Sequence, residues 1–205
     1  MRCCLTFGTF LLFAFPAGLL GQSFPGHDFF FEITPQVGFL APEEPEGAEI
    51  EARPLFGGRV GYRRATGFGF EAQGAFTSLE LEVSGQTPEI FDLTTFVYGV
   101  DGLYTWSVSP RTDVSLALGV GGVTWSPDRD GADDLSGDPD SETNLQVALG
   151  LAARALLTPS IALRGDIRDH VVFDQLADTA RDLELVDRGQ TNNLEVSVGA
   201  SFVLP

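Results

Sequence analysis

The chain has 205 residues, with 12 basic and 29 acidic side chains and a formal net charge of −17. Every basic residue is Arg, and a chain this acidic lacks the positive face that phosphate binding needs, which excludes nucleic acid as a partner. A hydrophobic content of 43% with 17 Phe excludes a disordered chain, and 24 Gly beside a single Met favours strands and turns over a helical bundle.

Residues 1–23 read as a secretory signal, leaving 24–205 as one domain. Arg2 supplies the positive start, Leu5 to Leu20 is an uncharged apolar stretch, and cleavage is expected after Gly21 or Ser23. The alternative, a membrane anchor, is disfavoured because the apolar run is short for a spanning helix. Both cysteines, Cys3 and Cys4, fall in the leader, so the exported chain uses neither disulfides nor thiolate chemistry.

Eight strand-like runs follow, near 29–40, 54–63, 67–78, 91–106, 111–125, 143–157, 161–173 and 192–204. In the first, Ile33, Pro35, Val37 and Phe39 share a face opposite Glu32, Thr34, Gln36 and Gly38; in the last, Leu194, Val196, Val198 and Ala200 oppose Asn193, Glu195, Ser197 and Gly199. Period-two alternation of this kind marks strands with two different environments. Each run is long enough to cross a bilayer as a tilted strand, which takes ~9–11 residues. The connections alternate as well. Segments 64–66, 107–110 and 158–160 are tight, with turn residues such as Ser109-Pro110 and Pro159-Ser160, whereas 41–52, 79–90, 126–142 and 174–190 are long and polar. Short turns at one end and long loops at the other describe an all-β, eight-stranded antiparallel up-and-down transmembrane β-barrel. Aromatics near strand ends (Phe29, Phe30 and Phe31, Tyr62, Tyr104, Trp106) suit interfacial belts. A soluble lipocalin-like cup with its apolar face inward is the competing architecture; the small residues mixed with charges on the polar face fit a narrow lumen better.

The runs FEITPQVGF, LFGGRVGYR, GFGFEAQGAF and NNLEVSVGASFVL resemble the small outer-membrane β-barrel family, the eight-stranded OmpA/OmpX-like group, across essentially the whole mature chain. The resemblance implies a bacterial outer-membrane location, and relatives that stabilise the envelope, adhere to surfaces or pass small solutes poorly. Two departures stand out: the chain ends Phe202-Val203-Leu204-Pro205 rather than on the family's usual aromatic residue, and no periplasmic domain is expected after the last strand.

Alternation sorts the charges. Inward-facing Arg59, Arg63, Arg154, Arg164 and Arg168 are nearly balanced by Glu32, Glu71, Asp101, Asp113, Asp166 and Glu195, with His170 among them. An eight-stranded barrel is only just wide enough for side chains to fill, so these residues are expected to form a structural ion-pair network rather than a path. The alternative is a narrow porin-like channel for ions or small solutes. The four long loops, with Asp92 at the edge of the second, carry 21 acids against Arg129, Arg181 and Arg188, which makes an acidic outer end. Outer-membrane lipids, lipopolysaccharide and bridging divalent cations are the expected neighbours, and the barrel is expected to be a monomer. A specific calcium site in Asp128-Arg129-Asp130-Gly131-Ala132-Asp133-Asp134 fails the EF-hand spacing, with Ser126 first and Gly137 where the bidentate Glu belongs.

A lipid A-modifying enzyme of this size would need a nucleophile beside a base. Of the two histidines, His27 precedes the first strand and His170 turns inward, with no Ser within two residues. The glycines of Gly119-Val120-Gly121-Gly122 sit inside a strand with no helix after them, so no phosphate loop is expected. No catalytic residue, cofactor or metal site is assigned. The expected role is non-enzymatic, structural or surface-interacting. Asp169 falls on the outward phase and is expected near the outer interface, where a charge costs little.

Overall fold

A computed structural model describes residues 29–43, 48–50, 53–83, 89–127, 141–173 and 190–204. The signal segment, His27, the Asp128–Asp134 cluster and most of the expected loop acids lie outside the described residues. The elements are β1 (Phe29–Ala41), β2 (Ala48–Ile50), β3 (Arg53–Arg64), β4 (Phe68–Val83), β5 (Glu89–Ser109), β6 (Thr112–Pro127), β7 (Glu142–Thr158), β8 (Ile161–Phe173) and β9 (Gln190–Leu204). All pairings are antiparallel. β1 and β9 pair with each other, β4 pairs with β5, and the sheet closes on itself. The three-residue β2 extends the position of β3 by pairing with Leu81–Val83 of β4, so the barrel has eight positions.

The register sets the shape. From Phe31 the pairs run Tyr62, Phe70, Gly102, Leu118, Leu149, Asp169 and Leu194, and return to β1 at Ala41, ten residues further along. A ten-residue stagger over eight strands tilts them by about 40°. Levels around the barrel follow from the same stagger. Phe29, Phe31, Tyr62, Phe68, Tyr104 and Trp106 fall at one level near the short turns, in two groups of ring contacts (Phe29, Phe31 and Tyr62; Phe68, Tyr104 and Trp106) 5.0–6.3 Å between centroids. Phe39, Phe56, Phe76, Phe96 and Tyr98 form a second level, with Phe76 touching Phe56 at 6.0 Å and Phe96 at 6.4 Å. The two belts lie about 20 Å apart along the axis. Between them the outer surface is aliphatic, with Leu118, Leu149, Leu151, Leu163, Ile167 and Val198 all exposed. This is the apolar band a bilayer covers.

Local chemistry fixes the short ends. Gly67, at φ +91°, donates to Arg64 O at 3.0 Å and accepts from Thr105 N at 2.8 Å; a Cβ there would meet Thr105 O at 2.5 Å. The other two turns are held by hydroxyls, Arg111 N donating to Ser109 Oγ and Ser160 N to Thr158 Oγ1, both at 3.3 Å. One irregularity in register precedes each of these turns, at Ser107/Ser109 and Leu156/Thr158.

Three expectations need correcting. Glu80, Glu82 and Glu89 belong to strands, not to a loop: β4 and β5 stay paired from Phe68/Tyr104 up to Val83/Glu89, well beyond the outer belt. Glu49 belongs to β2 and Glu142 to β7 for the same reason, continued backbone pairing. Phe30 is not a belt residue, because strict alternation turns the middle of three consecutive phenylalanines inward, where it is buried. Asp169 does face outward, at the level of the outer belt, as its pairing with Leu149 and Leu194 places it.

The lipid-facing placement predicts a depth-dependent cost. Leu151 lies midway between the belts and Leu204 at the short-turn end. Leu151→Arg is expected to cost ~2–4 kcal/mol of folding free energy and Leu204→Arg under ~1 kcal/mol. Urea unfolding in phospholipid vesicles measures both; equal costs would contradict the assigned levels.

Candidate functional site: the charged lumen

The twelve ionisable residues singled out from alternation all face the lumen. Eleven are nine-tenths or more buried, and the Asp113 side chain retains 14% exposure. The strands deliver them by phase alone, with Glu32 on β1, Arg59 and Arg63 on β3, Glu71 on β4, Asp101 on β5 and Asp113 on β6. Arg154 follows on β7, Arg164, Asp166, Arg168 and His170 on β8, and Glu195 on β9. In barrel order β4 stands opposite β8, so the distribution of charge among strands decides which walls are tied together.

Glu71 is the junction. Arg168 Nη2 donates to Glu71 Oε1 at 2.8 Å and Arg164 Nη2 to the same oxygen at 3.0 Å, while Arg164 Nη1 bonds Oε2. Both arginines reach across the full width of the lumen. Arg59 Nη1 comes within 3.5 Å of Oε1, and Arg63 Nη2 within 3.8 Å of Oε2. One carboxylate therefore faces four guanidiniums. Glu32 makes a second junction nearer the short turns, accepting from Arg154 Nη1 at 2.5 Å and Arg63 Nε at 3.1 Å, with Arg164 at 3.6 Å.

The remaining acids saturate the arginines. Asp166 accepts two bonds from Arg164 at 2.8 and 2.9 Å, Asp101 takes one from Arg168 at 2.5 Å, and Asp113 holds Arg154 Nη2 at 2.6 Å. Arg59 Nη2 donates to Glu195 Oε1 at 2.7 Å, and the other Glu195 oxygen lies 3.1 Å from His170 Nε2. All twelve residues thus belong to one connected network. Paired geometry of this kind lets charges sit in a narrow, water-poor space, where an unpartnered one would be prohibitive.

Glycines make the room. A Cβ at Gly150 would lie 2.7 Å from Arg168 Cγ, and one at Gly119 would fall onto the Asp101 carboxylate. These are the cross-strand neighbours of the same two residues, since Gly150 pairs with Arg168 and Gly119 with Asp101. The close pairing of a long charged side chain with a bare glycine across a strand is what the small residues on the polar face accomplish.

Reading charge alone overlooked the neutral half of the network. Arg63 Nη1 also donates to Thr105 Oγ1 and Ser115 Oγ, both at 2.8 Å, and Arg59 to Gln73 Oε1 at 2.5 Å. Thr34 bonds Ser201 at 2.8 Å, and Ser197 donates to Glu195 at 2.8 Å. All share the inward phase of their strands, which is the signal that would have found them. Phe30, also overlooked, lies against Arg154, whose Cζ is 5.1 Å from the ring centroid. Beside them, Arg63, Thr105, Asp113 and Arg154 line a half-open recess of only about 20 Å³ at the short-turn end, space for about one water.

The chemistry available to this arrangement is limited. His170 Nε2 meets a carboxylate, and Ser197 hydrogen-bonds the other oxygen of the same carboxylate, so serine and histidine are separated by Glu195 instead of forming a nucleophile–base pair. Among the described residues no group of three or more His, Cys, Asp or Glu side chains is placed to hold a metal ion. At the outer rim Glu43, expected as a solvated loop acid, accepts from Asn192 N at 2.9 Å while its own N–H donates to Asn193 Oδ1 at 3.2 Å, tying the outer ends of β1 and β9.

Comparison with known proteins agrees with this geometry. The model of the outer membrane protein beta-barrel domain family matches residues 12–202. No curated protein shows a significant sequence match. Among solved structures, the fold is similar to the outer membrane protein OprG from Pseudomonas aeruginosa, at 12% identity and a TM-score of 0.64, covering 85% of this chain and 95% of that one. It is similar to a major outer membrane protein from Thermus thermophilus at 14% identity and TM-score 0.54, covering 87% and 100%. Neisserial surface protein A gives 12% and 0.52, covering 86% and 97%. At these identities the likeness is one of fold.

If Glu71 holds opposite walls together, removing it strands four arginines. Glu71→Ala is expected to destabilise the barrel by about 3–5 kcal/mol in urea unfolding, the cost of leaving buried partners uncompensated. A loss under about 1 kcal/mol would contradict the role assigned to it.

Proposed function

The chain belongs to the outer membrane protein beta-barrel domain family and resides in the bacterial outer membrane, and on that premise we propose that it is a non-enzymatic barrel whose lumen is plugged. In this reading the strands form a rigid, sealed stave in the envelope, and the acidic outer end is the part that meets other molecules. The observation that supports it is the set of bonds that Glu71 on β4 accepts from Arg164 and Arg168 on the opposite wall, side chains that span the lumen across its axis.

The twelve ionisable lumen residues are assigned a structural role. Lipopolysaccharide is the expected outer-leaflet neighbour, with divalent cations bridging its phosphates to the acidic end. That end is too negative to attract an anionic surface directly. Residues 1–23 are read as a cleaved leader, so the mature chain is expected to begin at Gln22 or Phe24, which mass spectrometry of the outer-membrane protein checks directly.

Purified protein in planar bilayers is expected to show no stable conductance steps, and lipid A from cells with and without the protein is expected to give the same mass spectrum. Stable single-channel steps would replace the plug with a narrow channel. A protein-dependent change in lipid A acylation would replace it with an enzyme.

A further inference from the structure

The lipid-facing side of the barrel is not uniform. At the outer level, where β1, β3, β4 and β5 place Phe39, Phe56, Phe76 and Phe96, strands β7, β8 and β9 place Leu149, Asp169 and Leu194. Asp169 is exposed there, with Leu149 and Leu194 beside it across the strands and Ile167 below it, all three also exposed. Among the described residues it forms no ion pair and no hydrogen bond. A charge at this depth costs little, but an ionisable side chain on an apolar membrane face marks a contact point for a group of opposite charge.

Directly below Asp169 the same face is hollowed. An open depression of about 350 Å³ lies against Leu151, Ala153, Gly165, Ile167, Val196 and Val198. These residues make two cross-strand rows, Leu151–Ile167–Val196 and Ala153–Gly165–Val198. Asp166 and Ser197 also border it, but Asp166 accepts from Arg164 and Ser197 donates to Glu195 in the lumen, so the side chains offered to lipid are apolar. Gly165 makes the hollow, since a Cβ there would meet nothing beyond its chain neighbours nearer than Ser197 O at 4.0 Å. It precedes Asp169 by four residues on β8, about 13 Å along the strand and about 10 Å along the axis. The hollow therefore lies about half-way between the two aromatic levels.

A carboxylate at the outer interface above an apolar hollow at mid-depth matches the two ends of one lipid molecule. A methylene needs about the room of a water molecule, about 30 Å³, so the hollow takes roughly a dozen of them, one acyl chain. A protein partner is disfavoured, because a specific interface buries about 1,000 Å² or more and the hollow spans only two short rows. Charge sets the head. A carboxylate on a chain this acidic disfavours a net negative headgroup, and one carboxylate is far short of the roughly six to eight oxygens of a bridging calcium ion. A primary ammonium supplies the positive charge together with N–H donors, which a quaternary ammonium lacks.

We propose that this face of β7, β8 and β9 binds one phospholipid with a primary ammonium head, of the phosphatidylethanolamine type. The ammonium pairs with Asp169, and one acyl chain lies over Gly165. The site is on the outside of the barrel and does not depend on whether the lumen conducts.

The full-length barrel, purified in detergent, is titrated with phosphatidylethanolamine, phosphatidylcholine and phosphatidylglycerol of identical chains, and bound lipids are counted by native mass spectrometry. One phosphatidylethanolamine is expected to be retained, at least about tenfold more tightly than either of the others. Asp169→Asn, which keeps the shape and removes the charge, is expected to abolish that preference. Gly165→Leu, which fills the hollow, is expected to weaken phosphatidylethanolamine by about tenfold with Asp169 intact. A boiling-dependent gel shift verifies that each variant is folded. Equal retention of the three lipids by the parent, or an undiminished preference in folded Asp169→Asn, overturns the proposal. So does undiminished binding in folded Gly165→Leu, or a lipid-free dimer, which would place a second copy of the chain on this face.

Discussion

A narrow, closed lumen cannot leave a charge unpaired, and in this barrel that constraint is met across the axis and not merely along the wall. Glu71 and Glu32 act as shared acceptors for arginines from opposite sides. Side chains from β1, β3, β4, β7 and β8 therefore hold the barrel's cross-section as spokes hold a rim. The backbone ladders close the sheet, but they allow it to flatten; ion pairs spanning the diameter resist that. Each junction is over-determined, because each of the five arginines in the network reaches at least one acid at 3.1 Å or less. Isolated surface pairs contribute little, whereas a buried connected network is costly to break at any single member.

The same constraint explains residues that carry no charge. Gly119 and Gly150 leave space for Asp101 and Arg168, and Thr105, Ser115, Gln73 and Ser197 take up donors and acceptors that the ion pairs do not use. The outer surface answers to a different solvent. Its aliphatic band and two aromatic levels need only be apolar at the right depth, so this face is permissive where the inner one is exacting.

Much of the fold was legible because the physics that selects strands also writes period two into the sequence. Every barrel position was located, and the short-turn ends were placed within about three residues, two of the turns being marked chemically by Ser109-Pro110 and Pro159-Ser160. The outer ends ran past the expected limits, since Glu80–Val83 and Glu89–Ile90 read as loop while their backbones pair with each other. The three residues of β2 are too few for alternation to register. Membership of the charged face was legible for the same reason as the strands. The pairings were not, because which arginine meets which acid depends on the ten-residue stagger, and alternation carries no information about stagger. Phe30 was misplaced by treating an aromatic near a strand end as interfacial before applying its phase. The buried Leu55, Leu79, Val97 and Val123 were missed because they share the inward phase without the charges that drew attention elsewhere.

Glu71 and Arg164 should be energetically coupled across the lumen, and a double-mutant cycle measures that directly. Unfolding free energies of the parent, Glu71→Ala, Arg164→Ala and the double variant in the same lipid vesicles yield the coupling. A coupling of at least about 2 kcal/mol is expected, with the double variant far less damaged than the sum of the two singles. Additive losses would show that the barrel is held by its backbone and outer face alone, and the ion-pair spokes would lose their role.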